Sequence, residues 1–164
     1  MKLKSVVATA MLAAASFSAS ATDYNLGILD PTGFDTLFDR SLKLAANTEI
    51  NDTWSFTLLA PSSTSFLASQ TFAVAEGAIT DFSAVLNSTS FGLTNGAGSQ
   101  TLSWNGALAS GTYTVSITGT TGLSGARYAA SVSAIPAPVP EPETYAMMLG
   151  GLALLGAVAR RKAK

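Results

Sequence analysis

The residues that could do chemistry are mostly carboxylates. Asp30, Asp35 and Asp39 lie close together, and calcium would want several oxygens from one tight loop. Their spacing lacks the alternating acids of a calcium loop, so a solvated acidic surface is the better reading. Glycoside hydrolysis needs two facing carboxylates; Asp52 and Asp81 are candidates, but no spacing in the chain brings them together. Asp52, between Asn51 and Thr53, reads instead as a turn or bulge residue that accepts backbone N–H groups. Trp54 and Trp104 could form a sugar-stacking platform, yet each lies in an alternating run, where core packing is the commoner role. Lys43 has no Ser-x-x-Lys pattern before it to suggest a Ser-Lys base.

Composition excludes more. The chain has no cysteine and no histidine, which removes disulfides, the usual zinc sites and Ser-His-Asp or Cys-His catalysis. No cofactor or metal is expected. The formal charge of −1 averages over unlike pieces. Residues 22–138 hold eight acids against Arg40, Lys43 and Arg127, a balance of −5. A basic nucleic-acid footprint is absent.

The elements that must position these residues read as strands. In Thr53–Leu58, Trp54, Phe56 and Leu58 share one face, with Thr53, Ser55 and Thr57 on the other. Tyr113, Val115 and Ile117 repeat the pattern, as do Tyr128, Ala130, Val132 and Ala134. The runs at residues 66–74, 82–86 and 102–104 alternate less cleanly. Ala60-Pro61, Asn95-Gly96 and Ser110-Gly111 punctuate them. Short strands at this spacing predict a mostly β, antiparallel β-sandwich over residues 22–138, of a size suited to one core. Gly33–Ala46 is the exception: Phe34, Leu37, Phe38, Leu42 and Ala45 fall near helical spacing and predict a short helix, with strand or loop left open.

Both ends differ from this middle. Residues 1–21 begin with Lys2 and Lys4, continue through an apolar stretch and reach the small-x-small site Ala19-Ser20-Ala21. That pattern predicts a signal peptide cut between Ala21 and Thr22 by signal peptidase after export. Residues 139–164 run in three parts: Pro140-Glu141-Pro142, an uncharged apolar run at about 144–159, and the basic cluster Arg160, Arg161, Lys162 and Lys164. The prolines keep the first part extended. As a helix the apolar run reaches about 24 Å, short of a bilayer core of about 30 Å. Its leucines and valine contribute only about −2 kcal/mol to insertion. The reading is nevertheless a single transmembrane helix, held transiently in the inner membrane with Tyr145 at the boundary and the basic cluster as a stop.

Residues 139–162 resemble a PEP-CTERM sorting signal: Pro-Glu-Pro, then Thr144-Tyr145-Ala146, a Gly/Leu run and Ala159-Arg160-Arg161, in that order. The resemblance implies recognition, and cleavage near Pro140-Glu141-Pro142, by exosortase, a membrane transpeptidase of Gram-negative bacteria. A second stretch, Ile50-Asn51-Asp52-Thr53-Trp54, is similar to the motif of the FxDxF-type group of these proteins. Asp52 matches it, while Ile50 and Trp54 replace its two phenylalanines. The combined expectation is an exported, non-enzymatic protein of the outer surface or extracellular matrix, structural or adhesive, in contact with exopolysaccharide. A glycan-binding module and a polysaccharide hydrolase stay open as alternatives.

Overall fold

The computed structural model describes residues 19–138 and 142–162. Residues 1–18, Pro140, Glu141 and Lys164 lie outside the described residues.

The described strands are β1 (Ala19–Ser20), β2 (Asp23–Leu29), β3 (Asp35–Arg40), β4 (Glu49–Leu58), β5 (Ser62–Thr71) and β6 (Thr80–Leu86). They continue as β7 (Thr89–Ser90), β8 (Gly92–Gly96), β9 (Ser99–Leu108), β10 (Gly111–Thr120) and β11 (Ala129–Pro136). Helix α1 (Pro142–Lys162) follows. One six-stranded sheet runs β1-β4-β10-β6-β7, with β2 also on β4; a five-stranded sheet runs β3-β11-β5-β9-β8. The two pack face to face, with Phe56 of β4 and Phe66 of β5 meeting at 6.1 Å between ring centroids.

Alternation decides which side chains form the core. Ile50, Asp52, Trp54, Phe56 and Leu58 all point inward from β4, with Val115 and Ile117 beside them on β10. Phe66 and Ala68 on β5 and Ala130, Val132 and Ala134 on β11 cover them from the other sheet. A fully buried aromatic or branched side chain of this kind contributes roughly 1.5–3 kcal/mol. The outer faces are wet and carry hydroxyl pairs, Thr57 with Thr112 at 2.9 Å and Ser83 with Thr118 at 2.8 Å.

The chain is mostly β with antiparallel sheets, as expected, and three particulars differ. The pairing is not wholly antiparallel: β1 and β2 lie parallel to β4. The chain leaves β2 for β3 in the opposite sheet before returning as β4, and that long crossover frees it from the antiparallel geometry of a hairpin. Residues 33–46 form no helix. Residues 35–40 form the edge strand β3, paired antiparallel with β11, and leave Phe34 and Phe38 exposed at 69% and 58%. Cross-strand hydrogen bonds there outweigh a weak helical spacing.

The expected membrane span at about 144–159 is the third. No helix among the described residues is long and apolar enough to cross a membrane. Helix α1 has 21 residues, but Glu143, Thr144 and Tyr145 occupy its start and Arg160 and Arg161 its end. Gly150, Gly151 and Gly156 dilute what lies between. Its described side chains are exposed.

Gly125 shapes the approach to the last strand. It takes φ +70°, and a Cβ there would run into the Leu44 carbonyl oxygen. That close approach allows the Leu44 N–H to reach Ala126 O at 2.9 Å and sets the chain on course for Tyr128.

Candidate functional site

Ile50, Asp52 and Trp54 stand at every second position of β4, so a strand puts all three on its inner face. Asp52 is 1% exposed, inside an apolar row. A carboxylate in such a place needs donors. The Tyr128 phenol donates to its Oδ2 at 2.7 Å, and the Thr22 backbone N–H to its Oδ1 at 3.1 Å. Trp54 Nε1–H in turn donates to the Tyr128 hydroxyl at 2.7 Å. Tyr24 of β2 stacks on Trp54 at 4.1 Å and 13° between planes.

Tyr128 is itself clamped. Ser41 Oγ accepts from its N–H and the Ser41 N–H donates to its carbonyl, both at 2.9 Å. Burial pushes the Asp52 carboxyl above its ordinary range, against the hydrogen bonds from Tyr128 and Thr22, which pull it down. Burial, reinforced by the Asp52 hydrogen bond, holds the Tyr128 phenol far above its ordinary value, so it stays a proton donor. This buried chain fixes geometry; its members are shielded from a substrate.

The other acids do local work. Asp30 accepts from the N–H and hydroxyl of Thr32, which lower its pKa; Asp35 accepts from the N–H groups of Asp30 and Thr36; Asp39 accepts from Arg40 N–H. No group of metal-binding side chains occurs among the described residues. Asp81 is exposed, and the hollow of about 250 Å³ that it lines with Glu49 does not include Asp52. Asp52 and Asp81 accordingly do not meet: one faces the core and the other faces solvent. Trp54, at 0% exposure, offers no face to a sugar, and Trp104 is half-buried, stacked on Phe91.

A different feature lies on the outer face of the five-stranded sheet. Arg40, Ala129 and Ser69 stand in one cross-strand row. Two small side chains beside a long one leave a hollow of about 420 Å³, which Arg127 and Thr71 also line. Two of the three cations of residues 22–138 thus converge on one place. Arg40 lies over the Phe38 ring at 5.7 Å. Gln70 lines the same hollow; its Nε2–H donates to Gln100 Oε1 at 2.6 Å, and its own buried Oε1 has no partner among the described residues.

Sequence reading missed Thr22 and the convergence of Arg40 with Arg127. The inward register of Asp52 beside Trp54 was the available signal for a buried carboxylate. Nothing local names its donors, which lie 30 and 76 residues away.

Fold and tail together define a class: a β-sandwich body followed by a C-terminal helix with arginines in its last turn. The tail is a PEP-CTERM protein-sorting motif, the family whose model matches residues 138–162. That stretch takes in Pro140, Glu141, Pro142, Arg160, Arg161 and Lys162, and leaves out Lys164 and the Ile50–Trp54 segment. The motif implies an exported protein processed by exosortase, a membrane enzyme.

No curated protein matches the chain. Among solved structures, the pre-peptidase C-terminal domain of a collagenase from Bacillus anthracis is 13% identical, with a TM-score of 0.42 over 67% of this chain and 93% of that one. CBM35 from Cellvibrio japonicus Abf62 is 20% identical, with a TM-score of 0.37 over 67% and 82%. At these scores the likenesses carry no argument.

Proposed function

We propose that the mature protein is displayed on the outer surface or in the extracellular matrix, where the sandwich plays a structural, adhesive part in contact with exopolysaccharide. The sorting motif at residues 138–162 carries this reading. In it, export removes residues 1–21, and exosortase acts at or near Pro140-Glu141-Pro142. The body supports it in two ways. Its outer faces are rows of serine and threonine hydroxyls, which suit hydrated polymers. Its hollow between Arg40 and Arg127 offers two guanidinium groups to a carboxylated or sulfated sugar.

The test is retention of the purified secreted protein on the producer's own exopolysaccharide. Wild type is retained, and retention falls as salt rises. The double variant Arg40→Ala, Arg127→Ala is released at lower salt. Equal elution of both removes the hollow from the reading, and no retention of either removes polysaccharide contact.

One observation favours a second reading. Glu49 and Asp81 share a hollow, and their strands flank β10, which puts their backbones about 10 Å apart across the sheet, within reach of two carboxyls turned toward each other. A polysaccharide hydrolase would use that pair. Release of reducing sugar that disappears in Glu49→Gln and in Asp81→Asn would establish it.

A further inference from the structure

Among the described residues Asp52 is the only buried carboxylate. Its two donors, the Tyr128 phenol and the Thr22 N–H, are both neutral. The titratable groups facing this pocket are Tyr128, from the segment just before β11, and, behind Trp54, Tyr24 from β2; Asp23, next to Thr22, is exposed. Ile117 stands opposite Asp52 on β10. No cation faces it among these neighbours. A buried carboxylate satisfied only by neutral donors is an unfinished arrangement.

Thr22 supplies what is missing. Its nitrogen is 3.1 Å from Asp52 Oδ1, and it is the atom on the far side of the Ala21–Thr22 bond. We infer that hydrolysis of this bond turns the Thr22 nitrogen from an amide into an α-ammonium group that pairs with Asp52, so that leader removal completes the core. Water adds across the C–N bond: Ala21 departs with the new carboxylate, and Thr22 keeps the nitrogen, protonated below the α-amino pKa. The inference rests on the proposed boundary between leader and body.

The contacts that place the nitrogen survive the cut. Thr53 N–H donates to the Thr22 carbonyl at 2.9 Å, and from Asp23 onward β2 is paired with β4. What departs is β1, two residues paired with Glu49 and Ile50. An ammonium donor converts a neutral hydrogen bond into a charge-assisted one, and such bonds are roughly twice as strong.

The pH signature separates the two forms. An α-amino group has a pKa of about 7.7–8.0 when free. Pairing raises it in the folded state, so its stabilisation is complete below that range and is lost as pH rises through the folded value. The uncut chain has an amide there and shows no such step.

The experiment uses the full chain with residues before Thr22 replaced by a tag whose specific protease leaves Thr22 first. Cut and uncut samples are unfolded in urea from pH 5 to pH 10. At pH 6 the cut form gains about tenfold in its folding equilibrium constant. The gap shrinks from about pH 8 upward and closes as pH passes the raised folded value, about one unit higher, and Asp52→Asn abolishes it. Equal stability at pH 6, or a gap that Asp52→Asn leaves intact, overturns the pairing. If that variant does not fold, the Thr22 α-amino pKa of the cut wild type decides by NMR titration: a raised value supports the pair and an ordinary one overturns it. The intact mass of the exported protein reads its first residue separately. A start other than Thr22 overturns the boundary and this inference with it; a start at Thr22 with an ordinary amine overturns the inference alone.

Discussion

The Tyr128 hydroxyl donates to Asp52 Oδ2 across 2.7 Å, and that one bond ties the segment leading into the last strand of one sheet to strand β4 of the other. The same oxygen accepts from Trp54 Nε1–H. Removing it strands a carboxylate oxygen and an indole N–H together. Tyr128→Phe should therefore lower stability by about 2–3 kcal/mol, more than loss of a surface hydroxyl costs. Urea unfolding of variant and wild type measures it; a loss below about 0.5 kcal/mol would show the bond to be incidental.

Burial raises the Asp52 carboxyl in the chain whose Thr22 nitrogen is an amide. Between the unfolded value of about 3.9 and the folded one, the native state holds the extra proton. Stability of the uncut chain should then decline as pH climbs from about 4 through that window. Asp52→Asn should flatten the slope there. A parallel slope in the variant would assign the effect to other groups.

Gly125 holds φ +70°, with the Leu44 carbonyl where a side chain would begin. Gly125→Ala should cost about 2 kcal/mol or more, from the left-handed conformation and the displaced backbone together. Loss of the Leu44–Ala126 bridge should appear as faster amide exchange at Leu44. Unchanged exchange with unchanged stability would mean the loop yields freely.

The sorting motif makes a prediction about mass. Glu141→Ala, and separately Arg160→Ser with Arg161→Ser, alter residues within the matched stretch. Each should leave the full C-terminus on the protein, read by intact-mass analysis of the cell-associated and secreted fractions. A mature mass that differs from wild type only by the substitution itself would count against residues 138–162 as the processing signal.

Much of this protein is local. Strands β4 and β10 follow from alternation alone, because a pleated strand turns every second side chain to the same side. The tail is legible because its motif is contiguous, and the lack of cysteine and histidine needs no fold to have its consequence. The sequence also carried the marginal apolarity of residues 144–159, and the glycines that keep α1 below a membrane span are plain in it. Other features were decided only in three dimensions. Phe34 and Phe38 sit at helical spacing yet lie at a sheet edge, because β11 supplied hydrogen bonds that no nearby residue could. Asp52 looked like a turn residue until β4 carried it inward. Its donors come from residues 22 and 128, brought together by the crossover of β2 and the closing of β11. Arg40 and Arg127 line one hollow for the same reason: residues far apart in the chain come to one place only when strands pair, and pairing is a property of the whole sheet.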